Sequence, residues 1–100
     1  MKPCTFHSQA AVEYAEAIER YAAIRTELGE RFVSEVDGLL QDIAVNPRRY
    51  PHWNPPHRRH FSEVFPYAII YRDEPDRVWI LAVMHMSRHP DYWKERVSSC

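Results

Sequence analysis

Glycine, cysteine and long apolar runs are scarce in this sequence. Its 100 residues include two glycines and two cysteines, which argues against a glycine-rich phosphate loop and a disulfide-dense scaffold. No apolar stretch approaches the roughly 18 residues needed to cross a bilayer. The opening residues 1–7 lack the apolar segment of a signal peptide. We therefore expect a cytoplasmic protein with no membrane partner, in which Cys4 and Cys100 are free thiols.

Acidic residues are absent from the middle of the chain. Residues 43–62 contain no Asp or Glu but carry four arginines, a formal charge of +4, whereas residues 8–42 hold eight acids against three bases, a formal charge of −5. This segregation favours an anionic partner for the middle stretch. A solvated loop whose arginines only maintain solubility is the alternative interpretation. The basic residues of the stretch are Arg48, Arg49, His52, His57, Arg58, Arg59 and His60.

Two amphipathic helices are predicted in the first half. Apolar residues recur at spacings of three and four over residues 8–28, which is one face of a helix. Ser8 is placed to cap its start, and Gly29 to end it in the left-handed conformation. A second stripe covers residues 32–43 and ends before Pro47. The two helices form a hairpin that needs a sheet to cover.

Three β-rich runs follow a proline-rich connection. Residues 46–56 contain four prolines, which is typical of a stiff connection. Strands are predicted over residues 57–64, 67–72 and 78–86, the last apolar on both faces and therefore inside the sheet. With a strand in the opening residues and a short helix over residues 91–97, the fold class is α+β. It has an N-terminal strand, a two-helix hairpin packed on a mainly antiparallel sheet, and a short C-terminal helix.

Length and composition leave room for one core. Hydrophobic residues make up 45% of the chain and charged residues 27%, the balance of an ordinary globular protein. Residues 1–100 are therefore predicted to form a single domain. Its core is expected between the hairpin and the sheet, from Ala17, Tyr21, Ile24, Phe32, Val36, Leu40, Ile69 and Val83.

Four segments resemble the signature of the RelE/ParE toxin superfamily. They are residues 57–61 (HRRHF), 65–71 (FPYAIIY), 82–85 (AVMH) and 88–96 (RHPDYWKER), in matching order and spacing. Upstream, residues 28–51 resemble the helical hairpin of the family and its exit loop. The resemblance covers essentially the whole chain, and it is specific to the superfamily rather than to one toxin activity.

The resemblance implies the toxin of a type II toxin–antitoxin system. Such a toxin has a cognate antitoxin encoded in the same operon, contacts operator DNA only through the toxin–antitoxin complex, and inhibits growth when free, as in plasmid stabilization. The branches differ in target, because RelE-like members cleave messenger RNA on the ribosome whereas ParE-like members poison DNA gyrase. The ending over residues 88–96 resembles the ParE-like branch more closely. Gyrase poisoning is the first hypothesis, ribosome-dependent mRNA cleavage the second, and a non-toxic member that only binds its partner the third.

Five residues are candidate catalytic groups if the chain is a nuclease. Metal-independent RNA cleavage needs a base, an acid and cations that stabilise the phosphorane. Sheet pairing is expected to bring the candidates to one concave face. Structural roles remain the alternative for two of them: His85 as a histidine hydrogen-bonded for structure, and Tyr92 as a tyrosine that packs the terminal helix onto the sheet. The histidines lack the ligand spacing of zinc sites, so we predict no metal and no cofactor. The candidates are Arg58, Arg59, His85, Arg88 and Tyr92.

Overall fold

The computed structural model describes residues 1–98 as a helical hairpin laid on a four-stranded sheet. The elements are β1 (Cys4–Phe6), α1 (Ser8–Ile24), α2 (Thr26–Val45), β2 (His57–Phe61), β3 (Tyr67–Asp73), β4 (Val78–His85) and α3 (Lys94–Ser98). The strand order is β1-β4-β3-β2, with β1 parallel to β4 and the other pairs antiparallel. The predicted α+β class and the inner position of β4 are confirmed. No helix in residues 1–98 combines the length and apolar character that a membrane crossing requires.

The helix ends differ from the prediction. His7, not Ser8, is the N-cap of α1, and its Nδ1 accepts the Gln9 N–H at 3.1 Å. The hairpin turns at Arg25, whose backbone is extended at φ −164° and ψ 135°. Gly29 does not end the first helix but lies inside α2.

Close helix approach explains the glycine inside α2. A Cβ on Gly29 would lie 2.8 Å from the Cβ of Ala22 on α1, which is closer than two carbon atoms pack. The residue is therefore needed for its small size rather than for a left-handed backbone, which no glycine adopts within the described chain.

The predicted core between hairpin and sheet is present, with one error. Of the eight residues proposed for it, five are buried and two are half-buried. Ile24 is 71% exposed because α1 ends there, before its side chain can reach the sheet. Four aromatic rings pack together in this core, two from the helical hairpin and two from the start of β3 and the residues just before it. Their centroids lie 4.9 to 6.2 Å apart. They belong to Tyr21, Phe32, Phe65 and Tyr67.

A second core lies on the other face of the sheet. Trp93, just before α3, is fully buried there against side chains of β3 and β4 such as Ile70 and Leu81. Trp53, from the proline-rich connection, covers part of the same cluster. The apolar character of both faces of β4 follows from this arrangement, since each face has its own cover.

Candidate functional site

The five candidate residues do not share one concave face. Strand register pairs His85 with Tyr67 at the start of β3, whereas Arg58 pairs with Tyr71 four residues further along. Neighbouring strand residues point to opposite faces, so Arg58 and Arg59 also diverge. Arg58 lies on the helix side, where its Nη1 donates to the Tyr50 carbonyl at 2.8 Å. The expectation of a single five-residue site is wrong because the antiparallel register places the arginines and the histidine at different ends.

The other three candidates do come together. His85, Arg88 and Tyr92 line an open cleft of about 340 Å³ between α1 and the segment that follows β4. We call this the β4 cleft. Its remaining lining residues are Glu13, Glu16, Arg20, Tyr67, Val83 and Ser87.

Glu13 of α1 organises the floor of the β4 cleft. Its carboxylate accepts hydrogen bonds from the Tyr92 hydroxyl at 2.6 Å, the Val83 N–H at 3.1 Å, and two nitrogens of Arg96 at 2.8 and 2.9 Å. The ladder between β1 and β4 extends only to Ile80. Beyond that point the carboxylate satisfies an edge N–H that would otherwise be open to pairing with another chain.

Arg96 satisfies a backbone carbonyl on the same edge of β4 where Glu13 satisfies a backbone N–H. Its Nη1 donates to the Leu81 carbonyl at 2.8 Å, and its Nε donates to Oε1 of Gln9 at 3.0 Å. Burial alone would lower the pKa of Arg96, but the hydrogen bonds and the charge of Glu13 raise it above its usual value. Arg96 therefore stays cationic and joins the C-terminal helix to α1.

Sequence reasoning missed this network. Glu13 is separated from its partners by 70 to 83 positions along the chain, and no local sequence pattern predicts such a contact. One signal was available in the sequence, because Glu13 lies three residues after Ala10 and four before Ala17, on the apolar stripe of the first predicted helix. A carboxylate inside a buried stripe requires a partner.

Tyr92 and His85 are both held in structural hydrogen bonds. Burial and the hydrogen bond to Glu13 raise the pKa of Tyr92 far above its usual value, so its hydroxyl remains protonated. Nδ1 of His85 accepts the Ser87 N–H at 3.0 Å, with the Ser87 hydroxyl at 2.7 Å. A backbone N–H can only donate, so the neutral ring carries its proton on Nε2. Nε2 is thus a donor, and Nδ1 is not free to accept a proton from a substrate.

Two exposed arginines stand at the mouth of the β4 cleft. Nη2 of Arg20 donates to the Tyr67 hydroxyl at 2.7 Å, a bond that raises the pKa of Arg20. The guanidinium of Arg88 lies 3.9 Å from the centre of the Tyr92 ring. The ion pairs found within residues 1–98 involve neither arginine. The carboxylate of Glu16, which also lines the cleft, lies near Arg20 and offsets part of this positive charge. Two arginines against this one carboxylate leave the mouth with a net positive charge, which suits an acidic surface.

His57, His60 and Cys4 lie outside the β4 cleft. His57 packs edge-on against Trp93 on the second face, whereas His60 stacks on Tyr50 on the helix side. Within residues 1–98, no three His, Cys, Asp or Glu side chains are arranged to hold a metal ion. Cys4 is a half-buried free thiol, and burial raises its pKa, which lowers its reactivity. Cys100, also predicted to be free, lies outside the described residues.

Comparison with known proteins accounts for this architecture. A solved structure described as the chromosomal ParDE TA system from P. aeruginosa shares the fold, with a TM-score of 0.63 and 15% identity over 87% of this chain and 98% of that chain. A comparison with curated proteins found no match. The profile of a family described as the ParE toxin of the type II toxin–antitoxin system parDE matches residues 6–90. The chain therefore belongs to the ParE toxin family of type II toxin–antitoxin systems.

Proposed function

We propose that this toxin inhibits bacterial growth in the cytoplasm by binding DNA gyrase, with the β4 cleft as its contact surface. The proposal rests on the hydrogen bonds that hold the two candidate proton carriers, Tyr92 and His85. Tyr92 donates to Glu13 and keeps its proton, and Nδ1 of His85 is occupied by the Ser87 N–H. Arg58 and Arg59, which a nuclease would place beside them, lie elsewhere. A cleft built in this way supports binding better than proton transfer.

The rim of the cleft supplies the recognition chemistry. Arg20 and Arg88 are exposed, and each is held over or against an aromatic side chain, which reduces the entropy lost when a partner binds. Arginines of this kind are frequent hot spots in protein interfaces. We infer that they meet acidic groups on the target.

A cognate antitoxin is the second partner that we propose. Membership of the family implies a toxin–antitoxin pair, and the chain leaves several apolar side chains exposed on the helical hairpin. Val12, Ile24 and Val45 are 55%, 71% and 70% exposed. An antitoxin segment that covers such residues would neutralise the toxin, and operator DNA would be contacted through that complex.

The decisive experiment is a gyrase supercoiling assay with the purified chain. We expect inhibition by the wild type and a loss of at least about tenfold in potency for Arg20→Ala and for Arg88→Ala, the scale of an interface hot spot. Arg31→Ala, an exposed arginine on α2 outside the cleft, is the matched control and should inhibit as the wild type does. Equal loss in the control would show that general charge, not the cleft, is responsible.

The nuclease alternative is tested in a bacterial strain that expresses the chain on induction. Message 5′ ends are mapped after brief induction. Cuts inside ribosomal A sites that vanish in His85→Ala would replace the gyrase proposal, and the five sequence-derived candidates would then be tested as catalytic residues. Normal growth on strong induction, with no antitoxin present, would instead favour the non-toxic binding protein.

A further inference from the structure

Tyr67 has a hydroxyl proton that no atom of the described chain accepts. Its side chain is 2% exposed, and its ring packs in the core against Tyr21 and Phe32. The hydroxyl oxygen accepts a hydrogen bond from Nη2 of Arg20 at 2.7 Å. A guanidinium can only donate, so the hydroxyl must direct its own proton elsewhere. Within residues 1–98, that proton has no hydrogen-bond acceptor.

The hydroxyls of two other tyrosines do find acceptors. Tyr71, on the same strand, donates to the Pro47 carbonyl at 2.6 Å, and Tyr92 donates to the Glu13 carboxylate at 2.6 Å. Buried polar groups are almost always hydrogen-bonded. Because Tyr67 lines the β4 cleft, its unused O–H donor is available there to a group from outside the chain.

Two more donors line the same cleft. The rings of His85 and Tyr67 meet edge-on with centroids 5.0 Å apart. Nδ1 of His85 accepts the Ser87 N–H, so Nε2 carries the proton and donates. Arg88 is exposed, is held 3.9 Å from the centre of the Tyr92 ring, and takes part in no ion pair within residues 1–98. The cleft therefore offers a hydroxyl, an imidazole N–H and a guanidinium as donors.

The charges around the cleft leave one cation in excess. Glu13 is paired with Arg96 at 2.8 Å. Glu16 lies near Arg20, which offsets its charge. Arg88 is the charge that remains, so the cleft is balanced by an anion that carries one negative charge.

A nucleic-acid backbone is a poorer match for this cleft than a single carboxylate. α1 forms one wall of the cleft and belongs to the part of the chain that is rich in Asp and Glu. A backbone brings a row of phosphate charges, which this acidic helix repels. A carboxylate side chain on a protein surface brings one charge and two oxygens that accept hydrogen bonds.

We propose that the β4 cleft binds a single carboxylate, the Asp or Glu side chain of a target protein, and that the Tyr67 hydroxyl donates to it beside Arg88. Hydrogen bonds from O–H and guanidinium donors to a carboxylate are charge-assisted and strong. The amide of Asn or Gln has the same shape but would set its NH₂ group against these donors. The inference rests on the proposed function for the source of the carboxylate, and it names the group on the target that the cleft recognises.

Binding is measured by NMR on the purified full chain at constant ionic strength, from the backbone amide resonances of His85, Ser87 and Arg88. The probe is N-acetyl-glutamic acid α-amide, which carries one carboxylate, and its neutral isostere N-acetyl-glutamine α-amide is the control. We expect saturable shifts with a dissociation constant on the order of 1 to 10 mM for the acid, and no saturable shift for the amide. The absence of saturable shifts with the acid up to about 100 mM, or equal binding of the two compounds, overturns the proposal.

Conservative variants test the hydroxyl itself. Tyr67→Phe keeps the ring and should weaken binding of the acid at least about tenfold, the scale of a hydrogen bond to a charged group. Tyr71→Phe removes a hydroxyl of the same strand that donates to Pro47, outside the cleft, and should bind the acid as the wild type does. If Tyr67→Phe fails to fold, Arg88→Gln changes an exposed side chain and should also weaken binding at least about tenfold. Wild-type affinity in either cleft variant overturns the proposal.

Two further outcomes separate this inference from its neighbours. Tighter binding of a single-stranded DNA of about six nucleotides than of the acid, at the same resonances, overturns the carboxylate proposal in favour of a nucleic acid. A chain that inhibits gyrase but does not bind the acid overturns only this inference. A chain that binds the acid but leaves gyrase active overturns only the proposed function.

Discussion

Removing the carboxylate of Glu13 should be among the most destabilising single changes in this protein. The side chains of Glu13 and Arg96 are 13% and 8% exposed, so the pair is shielded from solvent. Loss of Glu13 leaves the Arg96 cation without that counter-charge and the Val83 N–H without its acceptor. Breaking one partner of a buried ion pair costs about 3 to 5 kcal/mol, a large part of the roughly 5 to 15 kcal/mol that holds a domain folded.

Urea unfolding followed by tryptophan fluorescence measures this cost. Glu13→Ala is compared with Glu16→Ala, an exposed acid of the same helix whose loss should change the free energy of unfolding by no more than about 0.5 kcal/mol. Trp93, fully buried just before α3, reports whether the C-terminal helix remains attached. A cost below about 1 kcal/mol for Glu13→Ala would refute the reasoning, because it would mean that Arg96 is not dependent on this carboxylate.

Three more predictions concern stability. Burial lowers the pKa of His57, whose Nε2 is buried without a partner in the described chain. Below the usual histidine pKa of about 6.5, the unfolded chain therefore binds a proton that the folded protein does not. The free energy of unfolding, measured by urea titration, should fall from about pH 6.5 downward, and it should fall less in His57→Gln. Gly38→Ala should stabilise the protein by roughly 0.5 to 1 kcal/mol, since nothing lies within 4 Å of the added methyl group. Gly29→Ala should destabilise it, because the added methyl group would clash with Ala22. Equal shifts in the melting temperatures of the two variants would contradict this. Leu40→Ala should lower the free energy of unfolding, measured in urea, by about 1 to 2 kcal/mol, because Leu40 is half-buried. Fully buried leucines typically cost about 2 to 5 kcal/mol. A loss above about 3 kcal/mol would show that Leu40 is a core residue.

The sequence by itself determined the elements and the family. The helical hairpin follows from apolar residues at spacings of three and four, and the inner position of β4 follows from a run that is apolar on both faces. These patterns are local consequences of backbone geometry, so they can be read without knowing the neighbours. Three of the four segments resembling the toxin superfamily lie within residues 6–90, the range that the ParE family profile matches, whereas residues 88–96 share only their first three residues with it.

Only the tertiary structure decided the arrangement of side chains across elements. Periodicity continued past residue 24, but the extended backbone at Arg25 ended α1 and left Ile24 in solvent. Strand register separated Arg58 from His85, although both belong to strands of one sheet. The Glu13 network likewise depends on where α1 crosses β4. Such contacts join residues far apart in sequence, and their geometry is set by packing, which no local pattern of residues encodes.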